Sequence, residues 1–453
     1  MSGELVFGLN LLGPIFFAFT AVFVAYLISI AVPYLTAKPG LPGDPDQFEW
    51  HAFIPCRDEE AVIGTTVERL RSTFPQIHVW VIDDDSDDDT AAIVHRIAQH
   101  DDHVHLVQRR RPNARTGKGP ALNAAYTELT RIAPRENRDR IIVVVLDADG
   151  ELAPNGLTQV ARAFEDERVG AAQTAVWMRN RDDPNPRPGE GRLANALGRF
   201  LVRMQDLEFR TIIAAMQMLR IRTNSVGLGG NGQFARLSVL DEIAETYESP
   251  WHGALLEDYE FGVHVLLAGY ENRYVHDTHV TQEALPFFRR FATQRTRWAQ
   301  GNMQCLKYLP TILRSPNFNN SAVVEACYYL LLPFCQVIVS FLWPVGIYLI
   351  LLRMGIIATS DGSVTVNVSW AMLVLVLMHI VPFAMWGPIY RRRCAPEAPW
   401  IKGAVWGLGV YVYICYYYLV VFRAFGRVLM RKSGWAKTRR NAEAAVGPVA
   451  KEA

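Results

Sequence analysis

Gln294, Arg297 and Trp298 are spaced to share one face of a helix. They lie in the run Leu285–Leu309, which is poor in Gly and Pro and reads as helical. An amide, a fixed cation and a large flat ring on one face suit a sugar with a charged leaving group. A guanidinium forks onto phosphate oxygens, and an aromatic ring covers the apolar face of a sugar. The same trio also suits a bilayer surface, where Arg and Trp are both common.

Three acidic clusters upstream bear on that choice. His51–Pro55, Val79–Ile82 and Ile141–Leu146 are short apolar runs with the pattern of buried strands. They end in Cys56-Arg57-Asp58-Glu59-Glu60, in Asp83–Asp89 and in Asp147-Ala148-Asp149-Gly150. Helical patterns over Ala61–Phe74, Thr90–Gln99 and Pro120–Ile132 separate them, which predicts a parallel sheet with crossover helices. Ligands of such sheets bind beyond the carboxyl ends of the strands. Asp147 and Asp149 offer hard oxygens for Mg²⁺ or Mn²⁺, or they form an Asp-rich turn. Lys118, between Gly117 and Gly119 at a helix start, suits an anion or is an exposed loop lysine. The loop Gly227–Gln233 has an unusually free backbone. Glu257 and Asp258 open a further helical pattern, where Asp258 is either a helix-start residue or a general base.

The chain has 453 residues, 50% of them hydrophobic, and a formal net charge of +1. No domain is basic enough to point to nucleic acid. The six cysteines have no C-x-x-C spacing, so neither a disulfide framework nor a zinc site is expected. His95, His100, His103 and His105 lack a carboxylate pattern that would complete a metal site. Leu5–Tyr34 carries no charge and is long enough to span a bilayer. Further apolar stretches cover Val323–Leu352, Trp370–Tyr390 and Trp400–Phe422, with Trp and Tyr near several ends. The loop Met354–Ser369 reads as outside and Arg391–Arg393 as inside, which puts the basic tail in conflict with a simple last span. Leu193–Leu207 has an apolar face, with Arg199, Arg203, Asp206 and Arg210 on the other, as an interfacial helix does.

In order, these motifs resemble the family 2 glycosyltransferases, in particular the membrane-embedded branch of cellulose, chitin and hyaluronan synthases. The resemblance rests on Asp83-Asp84, Asp147-x-Asp149, Glu257-Asp258 and the Q-x-x-R-W of Gln294, Arg297 and Trp298, and runs from about Phe48 to Gly301. It implies a GT-A fold and a nucleotide-sugar donor, usually a UDP-sugar. Arg57, Glu59 and the Asp83-Asp84 pair would then lie around the nucleoside. Asp147 and Asp149 would hold the nucleotide and Mg²⁺ or Mn²⁺, with Lys118 nearby. Asp258, next to Glu257, would be the general base. Gln294 and Arg297 would face the diphosphate, Trp298 would carry the acceptor sugar, and Gly230 and Asn231 would line the acceptor side. Thr438 and Arg439, in Ser433–Arg439, resemble a gating segment that closes over the nucleotide and requires a cytosolic tail; Lys437 departs from that pattern.

The resulting expectation is an α/β protein: a cytosolic GT-A domain inserted between transmembrane helices of the plasma membrane. Residues 1–37 form the first helix and 48–320 the catalytic domain, with interfacial helices at about 193–221 and 285–316. Residues 321–425 form the remaining membrane region and 426–453 the basic tail. The first functional reading is an inverting, processive synthase that secretes a polysaccharide, with an accessory export subunit as a further partner. Tyr411, Tyr413 and Tyr416–Tyr418 are then candidates to line the passage. The alternative is transfer of one sugar to a lipid, diacylglycerol or polyprenyl phosphate. A catalytically dead membrane scaffold is the third, opposed by carboxylates at every motif position.

Overall fold

Ile141–Val145 is five β-branched residues in a row, the composition of a strand covered on both faces. It forms strand β4, and all five residues are buried. Each such side chain contributes about 1.5–3 kcal/mol on burial, so this row anchors the sheet. The computed structural model describes residues 3–353, 357–360, 363–366 and 380–432. Beside β4 run β1 (Glu49–Cys56), β2 (His78–Asp84) and β3 (Val104–Arg109), all parallel, in the order β3-β2-β1-β4. The crossovers are α2 (Ile63–Thr73), α3 (Thr90–Ala98) and α4 (Lys118–Ile132).

The second half of the sheet departs from the all-parallel expectation. It contains β5 (Glu151–Leu152), β6 (Val169–Met178), β7 (Gln233–Arg236) and β8 (Glu271–Gln282), in the order β7-β6-β8-β5. Strand β7 is antiparallel to both β4 and β6, and β5 is antiparallel to β8. The reason lies in the connections. Helix α5 (Gly156–Phe164) leads from β5 into β6. The chain between β6 and β7 leaves the sheet through α6 (Arg192–Leu207), a π-helical turn at Glu208–Ile213 and α7 (Ala214–Thr223). It returns through the glycine loop, entering the sheet from the opposite end. Gly232 makes that entry possible: its φ is +74°, and a Cβ there would lie 2.3 Å from Thr174 Oγ1.

Helices α8 (Leu237–Tyr247) and α9 (Glu257–Leu267) lie between β7 and β8, and α10 (Phe288–Cys305) and α11 (Leu309–Arg314) follow β8. The apolar helices are α1 (Gly3–Thr36), α12 (Asn320–Arg353), α14 (Trp400–Tyr413) and α15 (Tyr416–Leu429), and the short α13 (Trp386–Cys394), whose last turn carries three arginines, precedes α14. Two helical stretches among the described residues, Asn320–Tyr348 and Trp400–Leu429, are long and apolar enough to cross a membrane. About half of the expected span Trp370–Tyr390 and half of the loop Met354–Ser369 lie outside the described residues, as does the whole gating segment with Thr438 and Arg439.

Helix α6 corrects one expectation. Asp206, assigned to its polar face, is fully buried; it accepts from Met178 N at 2.9 Å and from the Tyr390 hydroxyl. Leu201, Met204 and Leu207 pack in a core shared with α13 and α14, while Leu193 and Leu197 are exposed.

Candidate active site

Helix α10 is fixed to the start of α9 by close backbone contact. A Cβ on Gly301 would sit 2.7 Å from Leu256 N, so only glycine lets α10 approach this loop. Gln304 Oε1 accepts from Leu255 N at 2.9 Å in the same place. The face carrying Gln294, Arg297 and Trp298 is thereby held against Glu257 and Asp258, and all five line one cavity of about 1040 Å³.

The cavity begins at the carboxyl edge of the parallel strands. Arg57 and Glu59 follow β1, Asp84 ends β2, and Asp147 follows β4; all four are on its wall. Lys118, first residue of α4, crosses it: Nζ donates to Asp147 Oδ1 at 2.7 Å and to Gly230 O at 2.5 Å. Burial, the largest single influence, would lower the Lys118 ammonium, but Asp147, Glu257 and Asp258 together outweigh it and hold the group above its ordinary value. Asn231 Oδ1 accepts from Asp147 N at 3.2 Å, tying the glycine loop to the end of β4.

Two predicted residues do not reach the wall. Asp83 is fully buried, accepts from Ser86 N at 3.1 Å, and pairs with Arg110 at 3.1 Å. Successive strand residues face opposite ways, so Asp83 and Asp84 cannot both face one ligand. Asp149 is 2% exposed and accepts from the amide of Glu283, a wall residue, at 3.1 Å through Oδ2. Among the described residues no three His, Cys, Asp or Glu side chains form a ready metal cage. The Asp147–Asp149 donor set still fits Mg²⁺ or Mn²⁺ chemically, because such ions take one or two carboxylates and complete their shell with phosphate oxygens and water.

Glu257 and Asp258 stand side by side in the first turn of α9. Burial raises both carboxyls above their usual range, and for Glu257 the neighbouring Asp258 charge adds to the rise. Lys118 and Arg297 pull in the other direction. Asp258 Oδ1 accepts from Tyr259 N at 2.7 Å, which leaves Oδ2 toward Gly230. A Cβ on Gly230 would lie 3.0 Å from Lys118 Nζ and 3.1 Å from Asp258 Oδ2. Both contacts are the ends of flexible side chains, so Gly230→Ala should fold. It should lower kcat by about tenfold or more, because small displacements of reacting groups are costly. Steady-state kinetics with a thermal-unfolding control check this.

Sequence reasoning missed several residues. Gln173 holds the glycine loop through Gly229 N (2.7 Å) and Asn231 O (2.9 Å), and Gln282 Oε1 receives Asn231 Nδ2 at 3.2 Å. Arg295 forms a two-pronged ion pair with Glu208. Each has its partner distant in sequence, which no local pattern announces. The histidines lie elsewhere: His51, His78 and His105 stack at the amino ends of β1, β2 and β3, with His103 beside His78.

An α/β sheet whose carboxylates gather at the carboxyl edge of its parallel half, facing a helix-borne cation and aromatic, has the GT-A architecture of a glycosyltransferase. The chain belongs to the glycosyltransferase-like family 2, whose sequence profile matches residues 49–301. It is 29% identical over 270 residues to the beta-monoglucosyldiacylglycerol synthase of Trichormus variabilis, a match covering 58% of this chain and 51% of that protein. It is 28% identical over 163 residues to the hyaluronan synthase of Streptococcus pyogenes serotype M3, 34% of this chain and 37% of that one. The chain thus spans about half the length of the first of these relatives. Among solved structures it resembles the mannosyltransferase PcManGT from Pyrobaculum calidifontis in complex with GDP-Man and Mn²⁺. The TM-score is 0.52 at 16% identity, over 92% of this chain and 99% of that one, a likeness of fold.

Proposed function

We propose that the protein transfers a sugar, with inversion, from a nucleotide sugar to a hydroxyl of a lipid acceptor at a membrane. The observation that carries this reading is the cavity's second end. From Asp258 it continues between the apolar helices, where Phe23 and Leu27 of α1, Leu332 and Val339 of α12, and Val420 and Val421 of α15 form its wall. A polar growing chain would find few partners there, whereas acyl or prenyl chains would. Three of the tyrosines expected to line a sugar passage are already engaged. Tyr413, Tyr416 and Tyr417 give their hydroxyls to Glu208 at 2.8, 3.0 and 3.3 Å. The similarity to a glucosyldiacylglycerol synthase points the same way. The reading keeps the 48–320 domain in the cytosol, with α12 and the α14–α15 stretch in the bilayer.

In this mechanism Asp258 removes the proton of the acceptor hydroxyl as its oxygen attacks the anomeric carbon. One base and one displacement invert that centre. Arg297 and Gln294 receive the departing diphosphate, and Lys118 keeps Asp147 in place. A divalent cation held by Asp147 and Asp149 would supply further neutralisation of the diphosphate. Trp298, on the wall between the two ends, would orient the transferred sugar.

The polysaccharide reading retains one support, the similarity to hyaluronan synthase. Full-length protein in lipid vesicles, given Mn²⁺ and labelled nucleotide sugars, separates the two. Label in one discrete species extracted into organic solvent is the expected result. Label in a large, water-soluble, glycosidase-sensitive product would overturn the lipid reading.

A further inference from the structure

Glu325 is the only Asp, Glu, Lys or Arg in Asn320–Tyr348, one of the two stretches among the described residues able to cross a membrane. A charge in such a segment costs free energy and marks a functional site by default. Its partner is Arg220 of α7, whose Nε donates to Glu325 Oε1 at 2.9 Å; the Tyr26 hydroxyl of α1 donates to the same oxygen at 3.2 Å. Arg220 is 6% exposed, lines the cavity, and lies over the Tyr329 ring at 4.7 Å. Its Nη2 has no hydrogen-bond partner among the described residues, and neither does Oδ1 of Asn302, another buried wall residue. Asn302 Nδ2 donates to Tyr329 O at 3.2 Å. The Tyr329 ring in turn packs 4.6 Å from that of Tyr259, the residue after Asp258. A polar patch, with a donor and an acceptor both unmet, therefore adjoins the base where the cavity turns apolar.

Its net charge is zero, and that property separates the lipid acceptors. Arg220 is neutralised by Glu325, and Arg295, the other cation on the membrane side of the wall, by Glu208. A lipid phosphate needs a cation whose charge is not already spent. It would also bring its own negative charge against Glu257 and Asp258, and being ionised it would have no use for a base. A neutral head with ester carbonyls and a free hydroxyl matches: carbonyl to Arg220 Nη2, and the proton of the reacting hydroxyl to Asp258. A buried ion pair gives little net stability compared with apolar side chains of the same size, so stability alone does not account for it.

We infer that the acceptor is a lipid whose reacting group is an uncharged hydroxyl, and that the Arg220–Glu325 pair is the polar site that sets its head against Asp258. The inference rests on the lipid reading above. The test uses full-length protein in vesicles containing either diacylglycerol or a polyprenyl phosphate. Alongside it runs the double variant R220M/E325M, which removes both charges and keeps the volume. Expected are transfer to diacylglycerol in preference to polyprenyl phosphate, and a KM for the lipid raised about tenfold in the double variant, the effect of losing roughly one charge-assisted hydrogen bond. The nucleotide-sugar Kd and Tm should stay unchanged. Preference for polyprenyl phosphate would overturn the neutral acceptor while leaving the lipid reading standing. An unchanged KM for diacylglycerol, or a fall in Tm and kcat without a change in KM, would overturn the role of the pair. A water-soluble polymer as sole product would overturn the lipid reading itself.

Discussion

Asp258→Asn should lower kcat by about 10²–10⁴-fold, the usual worth of a positioned general base, and leave nucleotide-sugar binding intact. Asparagine keeps the size of the side chain and can still accept from Tyr259 N, as Asp258 does now at 2.7 Å. Only the capacity to take a proton is lost. The pH profile gives the sharper measurement. Asp258 and Glu257 titrate as a pair whose carboxyls burial has raised. The base acts only when deprotonated, so activity should fall as pH drops through the raised values, above the range of an ordinary carboxylate. Glu257→Gln removes the like charge and should move this acid limb to lower pH. Lys118→Met removes a cation that favours ionisation of both groups and should move it to higher pH. A limb that stays fixed in both variants, or wild-type rates in Asp258→Asn, would mean that the base is elsewhere.

The carboxylates of the site were legible in the sequence because their placement is local. Asp84 and Asp147 each close or follow a buried strand, and parallel strands bring their carboxyl ends together. Where a position depends on contacts across the fold, the sequence misleads. Asp83 and Asp84 look like one acidic motif, yet strand alternation sends Asp83 to Ser86 and Arg110 and only Asp84 to the cavity. Asp206 looks like a surface charge on an amphipathic helix, yet α13 brings the Tyr390 hydroxyl down onto it. The antiparallel entry of β7 has no composition signal, since direction is set by the route through α6 and α7. Arg220 and Glu325 are 105 residues apart; the available clue was a single carboxylate in a long apolar run.

Arg295→Met should destabilise the protein by about 3–5 kcal/mol, the cost of stranding one member of a buried ion pair. Arg295 and Glu208 are 5% and 3% exposed, joined by Nη1–Oε1 and Nη2–Oε2 contacts of 3.2 and 2.7 Å. The guanidinium lies under Trp298, 4.4 Å from its ring centre, and the Glu208 carboxylate also takes three tyrosine hydroxyls from α14 and α15. Without Arg295 that carboxylate is left among aromatic rings with no cation against it. Glu208→Gln alone should also destabilise, because it leaves the arginine charge unanswered. The double change Glu208→Gln with Arg295→Met should recover most of the loss, since the amide oxygen still accepts from the tyrosines. Thermal unfolding of the four proteins in the same vesicles measures this coupling. The pair also joins α10 to the apolar helices, between Gln294 and Arg297 on the same helix. A shift of α10 by about 1 Å would cost transfer on the order of 10²-fold. Single variants should therefore lose kcat even below their unfolding temperature, and the double variant should regain part of it. Independent, additive losses would show that the two charges stabilise the protein separately and that α10 is positioned by its contacts with α9 alone.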